Sequence, residues 1–451
     1  MTTFNRRDFG KFVGGAGAGI VTASGLSTFA IAQGSAAAKV VIVGGGAGGA
    51  TVAHYLKKGD PKLDVTLIEA NKVYSSSFFS NLYLGGLRGF DSLNHGYEGL
   101  KAIGVKVIHQ YATAVDTKKK TVTTKEGGSY AYDRLVLSPG IVIKYESIPG
   151  YSKELSNQFP HAYETFGLGK QQLMKSLSAM PDGGTFAMVM PNNPYRCPPG
   201  PYERACMIAH YLKTKKPKSK LVILDPKKAF SKQPVFLEAF GKYYKDIIEM
   251  NLSNDIDDFS VTQFDGKAKE ITTKAGKKVK FAAANVIPQH RAGDIAQKSG
   301  VTTKDWVDIN PENFQSKADK DIYVLGDASV APEMPKSAFA ANSQGKVVVA
   351  DILADLSKKE KFPARFRNTC WSLVAPDDCV KVGANYAAKE GKLAPEGSFV
   401  SKAGEDAGLR KQNFAEAVGW YDGIITDMFA KTAAAPKKAA PAAPPAKAAP
   451  A

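Results

Sequence analysis

The stretch Lys39-Val-Val-Ile-Val-Gly-Gly-Gly-Ala-Gly-Gly-Ala-Thr-Val-Ala-His-Tyr-Leu56 decides the reading of the chain. A short β-branched run ends in glycines and passes directly into a helix-forming segment. Gly44, Gly46 and Gly49 satisfy G-x-G-x-x-G. The first glycine allows a tight turn, Gly46 and Ala47 bring bare backbone to a pyrophosphate, and the third packs helix against strand. The new helix then offers free N–H groups and a positive dipole end to the phosphates. A second apolar run, Val65-Thr-Leu-Ile-Glu69, is followed by Ala70. Glu69 falls about 20 residues beyond the glycines, the position of the acid that binds a ribose diol. The whole unit reads as an α/β dinucleotide site.

The 451 residues exceed what one core organises and point to two or three domains. A hydrophobic content of 44% with 23% charged residues is that of a globular protein. The formal charge of +17 suits an anionic surface, an acidic protein partner or a small anionic substrate. No nucleic-acid module or aromatic-rich basic repeat accompanies it, which ranks nucleic acid low.

Residues 1–32 read as an address. Asn5-Arg-Arg-Asp-Phe-Gly-Lys11 matches the twin-arginine export pattern, a weakly apolar Gly/Ala run follows, and Ala30-Ile-Ala32 supplies an A-x-A cleavage site. Export by this route, to the periplasm, suits a protein that takes up its cofactor before crossing. No other stretch reaches the ~18 apolar residues of a membrane span, so no transmembrane segment is expected. Cys197, Cys206, Cys370 and Cys379 are the four cysteines, and pairing is plausible in an oxidising compartment. There is neither C-x-x-C nor C-x-x-C-H, so the chain carries no covalent c-type haem of its own. No metal site is expected.

Along the chain, Val105-Lys-Val-Ile-His109 is the expected third parallel strand, and Lys120-Thr-Val-Thr-Thr124 a β-excursion. Tyr132 to Gly140 resembles the strand that closes the first flavin-binding segment in flavoproteins with two dinucleotide domains. A second α/β unit follows: strand Thr185–Met190, helix Pro201–Lys213, strand Lys220–Asp225. Between its first strand and helix, where nicotinamide-dependent relatives carry a second glycine fingerprint, stands Pro191-Asn-Asn-Pro-Tyr-Arg-Cys-Pro-Pro-Gly200. Its prolines remove backbone donors and stiffen the turn, so this unit is expected to keep its shape without an NAD(P)H site. Asp321-Ile-Tyr-Val-Leu-Gly-Asp327 is a strand ending in Gly326-Asp327, the aspartate that meets the ribityl chain or phosphate of FAD in this architecture. Lys336 to Lys346 leads into a helical stretch from Val347 to Leu356, whose N-terminal approach is placed to face the flavin pyrimidine edge. Trp371, Trp420 and Tyr421 are core or interface aromatics. The Ala/Pro/Lys segment 431–451 is too poor in large apolar residues to fold and reads as a mobile tail.

Cys197 lies just before the helix opened by Gly200-Pro201, where a helix N-terminus is expected to lower a thiol's pKa. Glu203 falls in the first helical turn, either favoured there by the dipole or serving as a base; the sequence leaves both readings open. Spacing alone does not pair Cys370 with Cys197.

Arg196-Cys-Pro-Pro-Gly-Pro-Tyr-Glu-Arg204, Met334-Pro-Lys-Ser337, Ala341-Asn-Ser-Gln-Gly-Lys346 and Asn368-Thr-Cys370 resemble the flavoprotein subunit of flavocytochrome c sulfide dehydrogenase. The resemblance runs from about Lys39 to about Tyr421. It implies an α/β fold like glutathione reductase, with two Rossmann-like dinucleotide-binding domains and a C-terminal α+β interface domain. The FAD-binding domain is then split between residues 39–150 and 291–356, around an NAD-like domain at 151–290 without an NAD site. The interface domain is 357–430. It further implies a redox-active disulfide beside the flavin, by position Cys197 with Cys370, and a haem carried by a separate c-type cytochrome subunit. Ser77, Asn81, Gly140, Lys336 and Ser343 join the glycine turn, Glu69, Ala70, Gly326 and Asp327 as expected flavin contacts. Members with covalently held flavin carry a cysteine in the loop after the second strand. Ser77 stands there in this chain and cannot form a thioether, so the FAD is expected to be non-covalent. Cys206 and Cys379 match no family position and read as core or incidental thiols. The implied activity is oxidation of hydrosulfide to sulfur or polysulfide, with Cys197, Cys370 and Glu203 as catalytic residues. A sulfide:quinone oxidoreductase is an alternative, though residues 390–415 are too polar for its apolar membrane-docking C-terminus. A non-catalytic flavin-bearing partner of a cytochrome is another.

Overall fold

Strand Lys39–Val43 has only its first residue exposed and pairs in parallel with Asp64–Ile68 on one side and Arg134–Leu137 on the other. A strand buried on both faces reads as an unbroken β-branched run, and this one does. Strand Ile322–Val324 joins beyond Arg134–Leu137, and Lys106–Ile108 joins beyond Asp64–Ile68, which completes a five-stranded parallel sheet. The expected third strand and the strand before Gly326-Asp327 are both in it. The computed structural model describes residues 37–254 and 258–431. The expected export signal lies outside the described residues, as does all of the Ala/Pro/Lys segment except Lys431.

The glycine turn sits between Lys39–Val43 and helix Ala47–Gly59. Gly44 has φ +100, and a Cβ there would lie 2.2 Å from the Ser138 carbonyl oxygen. Gly49 has ordinary helical backbone, but a Cβ would lie 1.9 Å from the Gly44 carbonyl oxygen. The first glycine therefore serves the turn and the third serves close approach of helix to strand. Helix Ala338–Ser357 packs on the same helix, with the Asn342 side-chain amide donating to Thr51 Oγ1 at 2.9 Å. This helix starts nine residues before the expected Val347. Ser337 caps it, its hydroxyl accepting from the Ala340 N–H at 3.0 Å.

A second parallel sheet runs Ile248–Leu252, Lys220–Asp225, Thr185–Val189, Ala283–Val286, with helix Gly200–Lys215 crossing between two of its strands. Antiparallel strands Ile141–Lys144 and Gln289–Ala292 mark where the chain leaves the first sheet's segment and returns to it. Strand Thr121–Thr124 belongs to a small antiparallel sheet, as the β-excursion requires. The C-terminal segment is an antiparallel sheet of Phe366–Ala375, Asp378–Lys389 and Lys392–Val400, followed by helix Ala407–Phe429. That helix buries Tyr421, Ile424, Ile425, Met428 and Phe429, and the Phe429 ring meets Tyr74, His95 and Tyr97 beside the glycine turn.

The packing at Gly49 makes a direct prediction. Gly49→Ala drives a methyl carbon into backbone and is expected to cost about 3 kcal/mol, read as a lowered Tm. Gly241→Ala, in an exposed helix position with nothing within 4 Å of its Cβ, is expected to gain up to about 1 kcal/mol.

Candidate active site

A cavity of about 680 Å³ reaches from the glycine turn to the C-terminal sheet. Gly44, Gly46, Ala47, Glu69 and Ala70 form one end of its wall, with Ser77, Asn81, Gly140, Gly326 and Asp327 further along. Glu69 Oε2 accepts from the Gly45 N–H at 2.7 Å, and Oε1 accepts from the Asn71 N–H and side-chain amide at 2.9 Å each. At Gly46 a Cβ would meet only a Tyr74 ring carbon, at 3.8 Å, so the backbone there faces the cavity bare. Ser337, Ala338 and Phe339 bring the start of the long helix to the same wall.

Two donors on this wall are unmet. Among the described residues, Arg196 Nη2 and Trp371 Nε1 are buried without a hydrogen-bond partner. Arg196 Nη1 lies 3.6 Å from Asp327 Oδ2. Buried donors without partners are rare and mark a place for an acceptor. A glycine cradle, a carboxylate, a second helix N-terminus and these donors together fit FAD. Gly44 to Ala47 would hold its pyrophosphate, Glu69 its ribose, and the Ala338 N-terminus a polar edge of the ring.

Three of the expected flavin contacts sit elsewhere. Gly49 lies behind the turn, in the helix–strand contact. Lys336 Nζ donates to the carbonyls of Asp327 at 2.8 Å and Ser329 at 2.7 Å and lies 3.8 Å from the Trp306 ring centre. It braces the Asp327 turn from behind. The Ser343 hydroxyl is turned to the Arg367 N–H, which donates to it at 3.0 Å. Asn81 reaches the cavity, but its amide is committed, donating to Glu203 Oε2 at 2.6 Å and accepting from Arg204 Nε at 3.2 Å. Ser77 lines the wall, its hydroxyl 3.4 Å from the Glu164 carbonyl oxygen.

Cys197, Glu203 and Cys370 line the same cavity. The proline loop carries Cys197 in the left-handed region, φ 59, which costs a non-glycine residue of order 1 kcal/mol. Hydrogen bonds hold it: the Cys197 N–H donates to the Lys336 carbonyl at 2.8 Å, and the Gly200 N–H to the Cys197 carbonyl at 2.8 Å. A Cβ on Gly200 would stand 2.8 Å from Cys197 Sγ, so the loop keeps the sulfur clear by lacking a side chain there. Cys370 comes from strand Phe366–Ala375, and the Asn368 amide donates to its Sγ at 3.4 Å. Asn368 also accepts from the Ser337 hydroxyl at 2.5 Å, which ties the sulfur to the cap of the long helix. All four cysteines are free thiols in the structure, so the disulfide implied by the resemblance is not formed there.

The electrostatics overturn one expectation. Burial pushes the Cys197 thiol up to about 12, reinforced by Cys370 and Glu203, and Arg196 and Lys232 only partly offset it. Desolvation outweighs the helix N-terminus here. Burial likewise raises Cys370 and the Glu203 carboxyl. Glu203 Oε1 accepts from the Leu373 N–H at 2.8 Å, so this side chain joins helix Gly200–Lys215 to the strand bearing Cys370. Cys206 and Cys379 are both core thiols, as expected; Cys379 also lines the cavity, and burial pushes it up to about 12. Trp371 and Trp420 also line the cavity, with ring centres 5.4 Å apart.

At the end of the second sheet polar side chains pair with one another. Buried Asp225 accepts from the Tyr202 hydroxyl at 2.5 Å and pairs with Lys227 at 2.7 Å, while Lys227 also donates to the Pro191 carbonyl at 2.6 Å. The acid at the end of the strand is thereby spent on protein groups.

Residues 170–288 match the family described as sulfide dehydrogenase (flavocytochrome c) flavoprotein chain, central, and residues 363–429 match flavocytochrome c sulphide dehydrogenase, flavin-binding. Residues 38–178 match the pyridine nucleotide-disulphide oxidoreductases. The mitochondrial sulfide:quinone oxidoreductase of Dictyostelium discoideum is 22% identical over 327 residues, 70% of each chain. The sulfide:quinone oxidoreductase of Aquifex aeolicus has a similar structure, with TM-score 0.66, 18% identity, and 88% of this chain and 93% of that one covered. Putidaredoxin reductase, in its covalent complex with putidaredoxin, gives TM-score 0.60, 17% identity, and 77% and 81% coverage. At these identities the two structures establish the shared two-sheet flavoprotein fold. With its central and flavin-binding segments both matched, the chain belongs to the flavoprotein subunits of flavocytochrome c sulfide dehydrogenase, which are sulfide-oxidising, FAD-dependent oxidoreductases.

Proposed function

We propose that hydrosulfide is oxidised at Cys197 and Cys370, which cycle between the dithiol form and a disulfide. The observation that carries this is that the two, from distant segments, line one cavity with Glu203 and the glycine turn, close enough for Cys370 to raise the Cys197 thiol electrostatically. Hydrosulfide attacks one sulfur of the disulfide, the sulfur–sulfur bond breaks, and a persulfide forms on one cysteine and a thiolate on the other. Asn368 holds Cys370 Sγ in place, and the backbone bonds about Cys197 fix the other sulfur. The Glu203 carboxyl, raised by desolvation, is placed to take the proton from that persulfide afterwards. FAD bound in the cavity supplies a two-electron acceptor that is reoxidised one electron at a time.

Because the sequence holds no haem-attachment motif, the electrons go to a haem in a separate c-type cytochrome subunit, forming a heterodimer. The twin-arginine pattern supports a periplasmic complex, and Ser77, which cannot form a thioether, supports non-covalent FAD. Quinone as acceptor is disfavoured by helix Ala407–Phe429, whose large apolar residues are mostly turned inward. No helix among the described residues is long and apolar enough to cross a membrane.

Anaerobic sulfide is expected to bleach the flavin absorbance, and NADH to leave it unchanged. Cys197→Ser and Cys370→Ser should each lower sulfide-dependent cytochrome c reduction by about 100-fold or more, with the double variant no worse than either single one. Wild-type rates in both single variants would support a flavin-bearing escort instead, and quinone reduction without any cytochrome would favour the other acceptor. Acid precipitation should release yellow FAD into the supernatant; colour retained in the pellet would refute the argument from Ser77.

A further inference from the structure

One buried cation beside the sulfurs has no part in these steps. Lys232 is 6% exposed and precedes helix Gln233–Tyr244 in the left-handed region, φ 61. Its Nζ donates to Ser372 Oγ at 2.8 Å and to the Cys370 carbonyl at 3.2 Å. Both acceptors are neutral, so these contacts leave its charge uncompensated. Four acidic groups face it: Cys370 and Cys379 from neighbouring strands of the C-terminal sheet, Cys197 from the proline loop and Glu203 from the helix after it. On its own helix the nearest partner is the Phe236 ring, 5.6 Å from Nζ. Burial lowers the Lys232 pKa, and those four groups raise it again.

We propose that Lys232 is the counter-charge of the sulfur site, its ammonium stabilising the thiolate that leaves when hydrosulfide opens the Cys197–Cys370 disulfide. This rests on the sulfide chemistry above. In that step hydrosulfide forms a sulfur–sulfur bond to one cysteine, and the cysteine–cysteine bond breaks with its electron pair on the other sulfur. The persulfide keeps the proton, and one negative charge enters and remains. Exchange is faster when the leaving thiol has a lower pKa. Burial works against that here, since it favours the protonated form at both cysteines. A fixed cation buried against the Cys370 backbone works in the other direction. Lys232 makes no hydrogen bond to either reacting sulfur, so it acts through its field as a positioning residue.

The test separates charge from tethering. Lys232→Gln keeps a donor for the Ser372 hydroxyl and the Cys370 carbonyl but loses the charge; Lys232→Arg keeps the charge. In FAD-loaded protein mixed anaerobically with sulfide, disulfide opening is followed by quenched-flow alkylation of the released thiol with iodoacetamide and mass spectrometry across pH. Lys232→Gln is expected to slow opening about tenfold and move the alkylation midpoint up by about two pH units, the rate following only about half of a change in thiol pKa. Lys232→Arg should stay within about threefold of wild type. A Lys232→Gln rate and midpoint equal to wild type would overturn the proposal. Should that variant lose FAD, Lys232→Arg decides: opening within about threefold of wild type supports the counter-charge, and opening slowed about tenfold contradicts it. If sulfide releases no alkylatable thiol in wild type, the disulfide chemistry itself has failed, which is a different result.

Discussion

The hydrogen bond from the Cys197 N–H to the Lys336 carbonyl joins two parts of the chain that belong to different sheets. The loop bearing Cys197 leaves the second parallel sheet; Lys336 precedes the long helix packed on the first. Through this bond the sulfur is set against the same wall as the flavin cradle, in a backbone conformation that a non-glycine residue adopts only when its surroundings impose it. Lys336 meanwhile spends its ammonium on the carbonyls of Asp327 and Ser329. One short segment thus positions a cysteine with its backbone and the Asp327 turn with its side chain.

The second constraint is burial. The sulfur site is built from two thiols and a carboxyl, and enclosing them raises all three together. Such enclosure penalises a thiolate at either cysteine. Two cations, Arg196 and Arg204, line the same cavity as the sulfurs, and Lys232 lies buried against the Cys370 backbone. In the second sheet the buried charge is compensated locally: Asp225, Tyr202 and Lys227 satisfy one another.

Much of this was legible in the residues. The first strand, glycine turn and helix form a local unit whose chemistry is complete within Lys39 to Glu69, and the proline loop announces itself by composition. Three things were not legible, each because it depends on distant neighbours. The helix beginning at Ala338 was read as starting at Val347, since Ala338 to Lys346 is small and polar, shows no apolar period and contains Gly345. Its start is set by the Ser337 cap and by packing on Thr51. The Cys197 thiol was expected to be acidic from its place before a helix; only the enclosed fold reveals that desolvation wins. Lys232 and Cys379 carried no motif, and they reach the site only through the packing of the C-terminal sheet against the second sheet's helices.

The central claim is that Cys197 and Cys370 form one redox pair. Peptide mapping of the oxidised holoprotein under non-reducing conditions tests it most directly. The account predicts a single cross-linked peptide joining Cys197 to Cys370, with Cys206 and Cys379 free, which opens on anaerobic sulfide to leave one of the pair heavier by one sulfur atom. Four free cysteines in the oxidised protein, or a cross-link that includes Cys206 or Cys379, would contradict it.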